Sequence, residues 1–186
     1  MRAVPDRLKT ERLILRRWRP SDQAPFARLN GDRCVMRFFA RTRTPEESRA
    51  EIERFDASFD RDGFGFWAVE AHGVGEFIGF VGCYPVNPAL PFAPGVEAGW
   101  RLDRTFWGRG YAPEAARAAL ADAFGRCGLP EIVADAAVPN LPSRRVMERL
   151  GMRRDPAADF DHPLVPEGHP MRRHVLYRLP AQDFRA

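Results

Sequence analysis

Lysine is almost missing from this chain: Lys9 is the only one among 29 basic side chains, and every other is arginine. A surface shaped for phosphate contact is not expected to be so one-sided, so the net charge of +4 and the pI near 9.4 read as compositional bias rather than as a nucleic-acid footprint. Cysteine is scarce as well. Cys34, Cys83 and Cys127 lie far apart, forming neither a metal-spaced CxxC pair nor a disulfide framework, and are expected to be reduced thiols. No stretch approaches the roughly 18 apolar residues of a membrane span, and the start, MRAVPDRLKTERL, has no apolar signal region. Repeats, low-complexity tracts and dividing linkers are absent too. These absences lead to the expectation of a soluble cytoplasmic protein with no nucleic-acid or membrane partner, folded as one domain over residues 1–186.

What is present is material for a core: 45% of residues are apolar, enough to exclude the composition of disordered chains. Apolar and polar residues alternate over Arg12–Trp18 as in a half-buried strand. Ser21 and Asp22 offer a cap for a short helix over Gln23–Asn30, stopped by Gly31. Thr44, Pro45 and Glu47 form a capping-box start, with Ile52, Phe55 and Phe59 on the buried face that follows. Phe64–Glu70 and Glu76–Cys83, joined by a glycine-containing turn, read as a hairpin. A proline-rich loop, a strand over Val96–Leu102, a helix after Gly110, a strand over Glu131–Val138, a helix over Asn140–Leu150 and a last strand over His174–Leu179 complete the order. The spacing predicts an α/β protein with a central sheet. Between Arg153 and Arg173, four prolines and no period predict a long loop.

The most informative stretch is VEAGWRLD followed by FWGRGYAPEA: a strand, a glycine-punctuated turn and a helix start. Successive amides at the positive end of a helix form an anion site suited to phosphate, and Gly108 and Gly110 let backbone and ligand approach closely. The spacing from Gly108 is G-x-G-x-x-P, without the third glycine of a dinucleotide fingerprint, and no G-K-[ST] follows. NAD and nucleoside triphosphates are therefore disfavoured.

Together with TERLILRRW near the start and NLPSRRVMERLGM after the next strand, this stretch resembles the GNAT N-acetyltransferase superfamily, in particular its RimJ/RimL-like branch of ribosomal-protein-alanine acetyltransferases. The resemblance runs from about Thr10 to Leu179. It implies a mixed, mostly antiparallel sheet of about 6–7 strands with about four helices, and acetyl-CoA as cosubstrate. The family's R/Q-x-x-G-x-G/A signature maps onto Trp107–Ala112, where Trp107 departs from the usual Arg or Gln. By resemblance, amides from Gly108 through Arg109, Gly110 and Tyr111 to Ala112 hold the pyrophosphate, with a side-chain charge from Arg109. The pantetheine arm is then expected beside Trp100, Arg101 and Leu102, with a bulge near Trp100 or Arg101. Asn140 and Ser143 match the family's N-x-x-[SA]: Asn140 would face pantetheine, and the Ser143 hydroxyl would reach the coenzyme sulfur. Capping is the simpler role for that pair. Four residues on, where many members carry a tyrosine acid, this chain has Met147, which leaves Ser143 or water, and more remotely Tyr177, to protonate the thiolate.

Acetyl transfer to an amine needs a neutral nucleophile, donors for the oxyanion and a proton for the thiolate. Glu97, on an otherwise apolar strand, is the expected water-relaying base. Freeing a lysine amine at pH 7 costs roughly 4.6 kcal/mol, against roughly 1.4 kcal/mol for an α-amine of pKa near 8, so the expected acceptor is an α-amino group on a protein N-terminus, an amino acid or a small metabolite, attacking the thioester directly. The alternative is a non-catalytic acyl-CoA-binding module. The Asp and His residues of the 153–173 segment match no metal motif, so no metal is expected and a substrate-side lid or dimer contact is preferred. A homodimer is the family's common habit.

Overall fold

The computed structural model describes residues 3–185. Twelve main elements follow in order: β1 (Arg7–Lys9), β2 (Leu13–Arg16), α1 (Gln23–Gly31), α2 (Pro45–Asp62), β3 (Phe66–Ala71), β4 (Gly75–Pro85), β5 (Val96–Leu102), α3 (Tyr111–Gly125), β6 (Glu131–Ala137), α4 (Leu141–Arg149), β7 (Arg153–Asp161) and β8 (Arg173–Pro180). All strands join one eight-stranded sheet in the order β1-β2-β3-β4-β5-β6-β8-β7. Neighbours are antiparallel except β5 and β6, which are parallel because α3 carries the chain back between them.

Local chemistry explains the elements. Thr44 accepts from the Glu47 amide while Glu47 reaches back to the Thr44 amide, so the expected capping box starts α2, and Gly63 at φ 80° ends it in a left-handed cap. Asp22 is the N-cap position of α1, yet its carboxylate does not cap; it takes both Arg16 Nη atoms at 2.7 and 2.8 Å and the Arg19 amide at 2.8 Å. The strand alternation splits the core between two layers. Leu13, Leu15, Trp67, Val69, Val81 and Cys83 face α3 and α4 with Ala115, Leu120 and Met147, whereas Phe66 and Phe80 join Phe26 and Phe55 of α1 and α2 in an aromatic cluster on the other side.

Two expectations are corrected here. The 153–173 segment is not one loop: Arg153–Asp161 is an edge strand, and only 162–172 is irregular. Its pairing with β8 shifts register between Asp155 and Phe160, around Pro156, which has no amide for the ladder. With one face solvated and charged residues along it, the strand carries no readable period. The sheet consequently has eight strands rather than 6–7, β1 being the other addition. The bulge expected near Trp100 or Arg101 is also not there: β4 and β5 pair without a shift from Pro85↔Val96 to Gly79↔Leu102. The distortion sits on β4 instead. Gly79 has φ 140°, and a Cβ there would lie 2.1 Å from the Arg101 carbonyl oxygen, so only glycine allows that approach.

Candidate active site

β5 and β6 pair at a single position, Glu97↔Val133, and diverge beyond it. Trp100, Arg101 and Leu102 therefore lie where the sheet opens, with no ladder partner on the β6 side. Two residues after Leu102 a short turn of 3-10 helix leads into Trp107–Gly110 and the N-terminus of α3. Gly108 and Gly110 take φ 75° and 79°, the left-handed region that favours glycine, and open space surrounds the position a Gly108 Cβ would occupy. The amides of Gly108 and Gly110 have no acceptor among the described residues. An acid in the first turn of α3, Glu114, would oppose an incoming phosphate if free. It is not free: its oxygens accept from Thr10 Oγ1 at 2.5 Å, the Arg12 amide at 3.0 Å and Arg12 Nε at 2.7 Å. The turn thus keeps unpaired donors and a positive helix end, which fits the pyrophosphate of a coenzyme A thioester.

The side chains around the turn are distributed unevenly. Arg109 is exposed and its guanidinium lies over Phe106 at 5.7 Å, while its carbonyl accepts from Arg12 Nη1 at 2.9 Å. Trp107 is exposed too, but its indole donates to the Leu102 carbonyl at 2.8 Å, tying the turn to the end of β5. Tyr111 is buried beneath Arg12 and belongs to the core, as does Leu102; Trp100 and Ala112 pack against the same core. Arg101 points to the opposite face, toward α1 and α2, so its backbone and not its guanidinium lies at the strand opening.

Asn140 caps α4 by accepting the Ser143 amide at 3.3 Å, as the simpler reading of that pair held. The Ser143 hydroxyl is half-buried and makes no hydrogen bond among the described residues. Met147 is 1% exposed and turned into the core. Tyr177 is also buried, with its hydroxyl donating to Glu148 at 3.1 Å and accepting from Arg144 at 3.4 Å, so it is committed to structure beneath α4.

Glu97 is half-buried on the face of β5 away from α3, and loss of solvation, with Asp135 as a second cause, pushes its carboxyl up from 4.5 to about 8. Asp135 follows Val133 by two residues on β6 and so shares its face. It holds His174 Nδ1 at 2.5 Å, His174 Nε2 lies 3.1 Å from the Met171 carbonyl, and the His162 ring is 4.8 Å from the His174 ring. Burial, then His174, holds His162 below its ordinary value. Sequence reasoning missed this Asp135–His174–His162 group. The one available signal was an aspartate inside the otherwise apolar run IVADAA. Among the described residues, no group of three or more His, Cys, Asp or Glu side chains is arranged to hold a metal, and no helix is long and apolar enough to cross a membrane.

An open parallel strand pair above a glycine-lined helix start is the arrangement that the resemblance to GNAT acetyltransferases implies. Residues 12–153 match the family model described as "Acetyltransferase (GNAT) domain", and the chain belongs to the GNAT acetyltransferase family. YkkB of Bacillus subtilis is 31% identical over 147 residues, covering 78% of this chain and 84% of that protein. A shorter match, 38% identical over 94 residues, covers 48% of this chain and 39% of the FsC-acetyl coenzyme A-N(2)-transacetylase of Aspergillus fumigatus. Among solved structures, a GNAT-family acetyltransferase from Bacillus anthracis superposes with TM-score 0.78 at 25% identity, covering 95% of this chain and 99% of that one. Mycobacterium smegmatis RimJ, solved in complex with CoA-disulfide, shares the fold with TM-score 0.70 at 21% identity, covering 91% and 82%.

Proposed function

We propose that this acetyltransferase moves the acetyl group of acetyl-CoA to a primary α-amino group, on a protein N-terminus, an amino acid or a small metabolite, by direct attack of the amine on the thioester carbonyl. Acetyl-CoA supplies the activated acetyl group. The amides of Gly108–Ala112 and the start of α3 hold its pyrophosphate, and the backbone of Trp100–Leu102, with Asn140 across the opening, lines its pantetheine arm. Glu97 takes the amine proton through water as the carbon–nitrogen bond forms. The carbon–sulfur bond then breaks, and the Ser143 hydroxyl, replenished from solvent, protonates the departing thiolate. One observation carries the assignment: Glu97 stands where β5 and β6 part, with a carboxyl whose pKa, about 8, is poised to exchange protons at neutral pH. In this reading the whole chain is one catalytic domain working in the cytoplasm, without a metal.

A thermal melt with acetyl-CoA at about 100 times its Kd tests the coenzyme site; binding adds roughly 2.7 kcal/mol, a rise of about 5 to 11 °C for a domain of this size. Glu97→Gln is expected to keep that shift and to lose thiol release with an amine acceptor. Unchanged turnover in Glu97→Gln removes glutamate from the base role, and a melt that shifts while no amine in a broad panel is acetylated leaves the acyl-CoA-binding module as the function.

A further inference from the structure

Arg101 shares its face of β5 with Glu97, four residues away, or roughly 13 Å along the strand. Its surroundings are unusual for a buried cation. Nη1 donates to Asn30 Oδ1 at 2.6 Å, and Asn30 is aimed there because its own amide donates to Ser48 Oγ at 3.0 Å and Glu51 Oε2 at 3.3 Å. The carboxylate that faces Arg101, Glu51, lies 3.7 Å from Nη1, beyond hydrogen-bond reach, and is shared with Arg43, whose Nε is 3.5 Å away. Nearby acids are already taken: Glu47 by Arg41 and Asp32 by Arg104. Two cations therefore share one carboxylate, and Arg101 is the one removed from water, with 11% of its side chain exposed against 30% for Arg43. Its Nε is buried with no hydrogen-bond partner among the described residues.

A guanidinium cannot escape this cost by neutralising itself at physiological pH; burial lowers Arg101 only to about 10. The Phe39 and Phe80 rings lie over it at 4.5 and 5.2 Å, but a ring face takes no Nε proton. Phe39 is itself 39% exposed, in the irregular stretch between α1 and α2, and is the solvent-facing one of the two rings over the guanidinium, Phe80 being buried. Behind it the wall is closed, since Asn30 and Ser48 are fully buried. An anion bound here must be the end of its molecule.

We propose that Arg101, oriented by Asn30 and Glu51 and covered by Phe39, is a carboxylate subsite for the acceptor, so that the amine acetylated beside Glu97 belongs to a free amino acid or a similarly compact amino acid-like metabolite. This rests on the acetyl-transfer reading above and selects among its acceptors. Thiol release is measured with a panel of free α-, β- and γ-amino acids, the C-terminal amide of each, and short peptides with neutral or acidic second residues. N-acetylated amino acids and their amides serve as product probes in melts of the CoA-bound protein. The expected result is a kcat/KM preference for acid over amide of about tenfold to a hundredfold, with only the acid products raising the melting temperature. Arg101→Gln is expected to melt higher than the parent when ligand-free, to keep the acetyl-CoA shift, and to bring the acid-to-amide ratio to near one through KM; Arg101→Lys is expected to retain part of the preference. Equal use of acids and amides, preference for peptides, or an unchanged ratio in Arg101→Gln overturns the subsite. A protein that shows no acetyl-CoA shift at all fails at the parent reading instead, which separates the two.

Discussion

Replacing Glu97 by glutamine tests the site without any knowledge of the acceptor. In the folded protein the Glu97 carboxyl is pushed from 4.5 to about 8. Below pH 4.5 both folded and unfolded chains carry the proton, and the group contributes nothing to the pH dependence. Between pH 4.5 and 8 the unfolded chain has released a proton that the folded chain keeps, so stability falls as pH rises, at about 1.4 kcal/mol per pH unit. Above pH 8 the full penalty of an ionised, poorly solvated carboxylate is in place. Raising the carboxyl from 4.5 to about 8 corresponds to about 5 kcal/mol, and water reaching a half-buried side chain screens part of it, leaving on the order of 2 to 4 kcal/mol. Glutamine has the same shape and no charge. Glu97→Gln is therefore expected to melt with the parent at pH 4.5 and about 5 to 15 °C above it at pH 8.5. Calorimetry of both proteins over that range, without ligand, is the assay. Parallel melting curves, or a gap that opens below pH 5 instead, refute the assignment of a raised carboxyl at this fork. The same value predicts that kcat/KM of the parent climbs steeply with pH to a limb near 8, because both the base and the amine must shed protons.

Four further substitutions probe neighbouring parts of the site and its frame. Asp135→Asn removes a like charge from Glu97, and because loss of solvation is the larger cause, the rising limb of the pH–rate profile is expected to move only slightly to lower pH. Gly110→Ala forces a side chain into φ 79° with its Cβ 3.4 Å from Arg12 Nη2; about 1 to 2 kcal/mol lost in chemical denaturation and a smaller acetyl-CoA melt shift are expected. Ser143→Ala keeps the backbone amide that Asn140 caps, so its melting temperature is expected to hold while thiol release slows about tenfold or more; an unchanged rate assigns the thiolate proton to water. Arg16→Ala strands the buried Asp22, whose guanidinium partner is Arg16, while leaving Glu70 with Arg19, and is expected to cost about 3 to 5 kcal/mol in urea unfolding.

The legible parts of the site were those written in local chemistry. Gly108 and Gly110 announce a close-approach turn because few other residues tolerate its backbone angles, and Thr44–Glu47 announces a helix start because both partners of the capping box lie within four residues. Asn140 could be read as a cap for the same reason. Arg101 was legible as a position and not as a direction. Which way a strand residue points depends on which face its sheet covers, so the sequence could place the Arg101 backbone at the strand opening but not show that its guanidinium is held by Asn30, 71 positions away. β7 was hidden by its place at the sheet edge, where one solvated face and Pro156 erase the alternation that marks inner strands.

From sequence alone came the order of the main elements, the phosphate-type turn, the family resemblance and the choice of Glu97, because each rests on residues close together in the chain. The tertiary structure alone decided where β5 and β6 separate, that Glu97 is deprived of water beside Asp135, and that Arg43 and Arg101 share a single carboxylate. Solvation and charge balance are properties of what folding brings together, and the partners that set them here lie on β6, α1 and α2, out of reach of any local pattern.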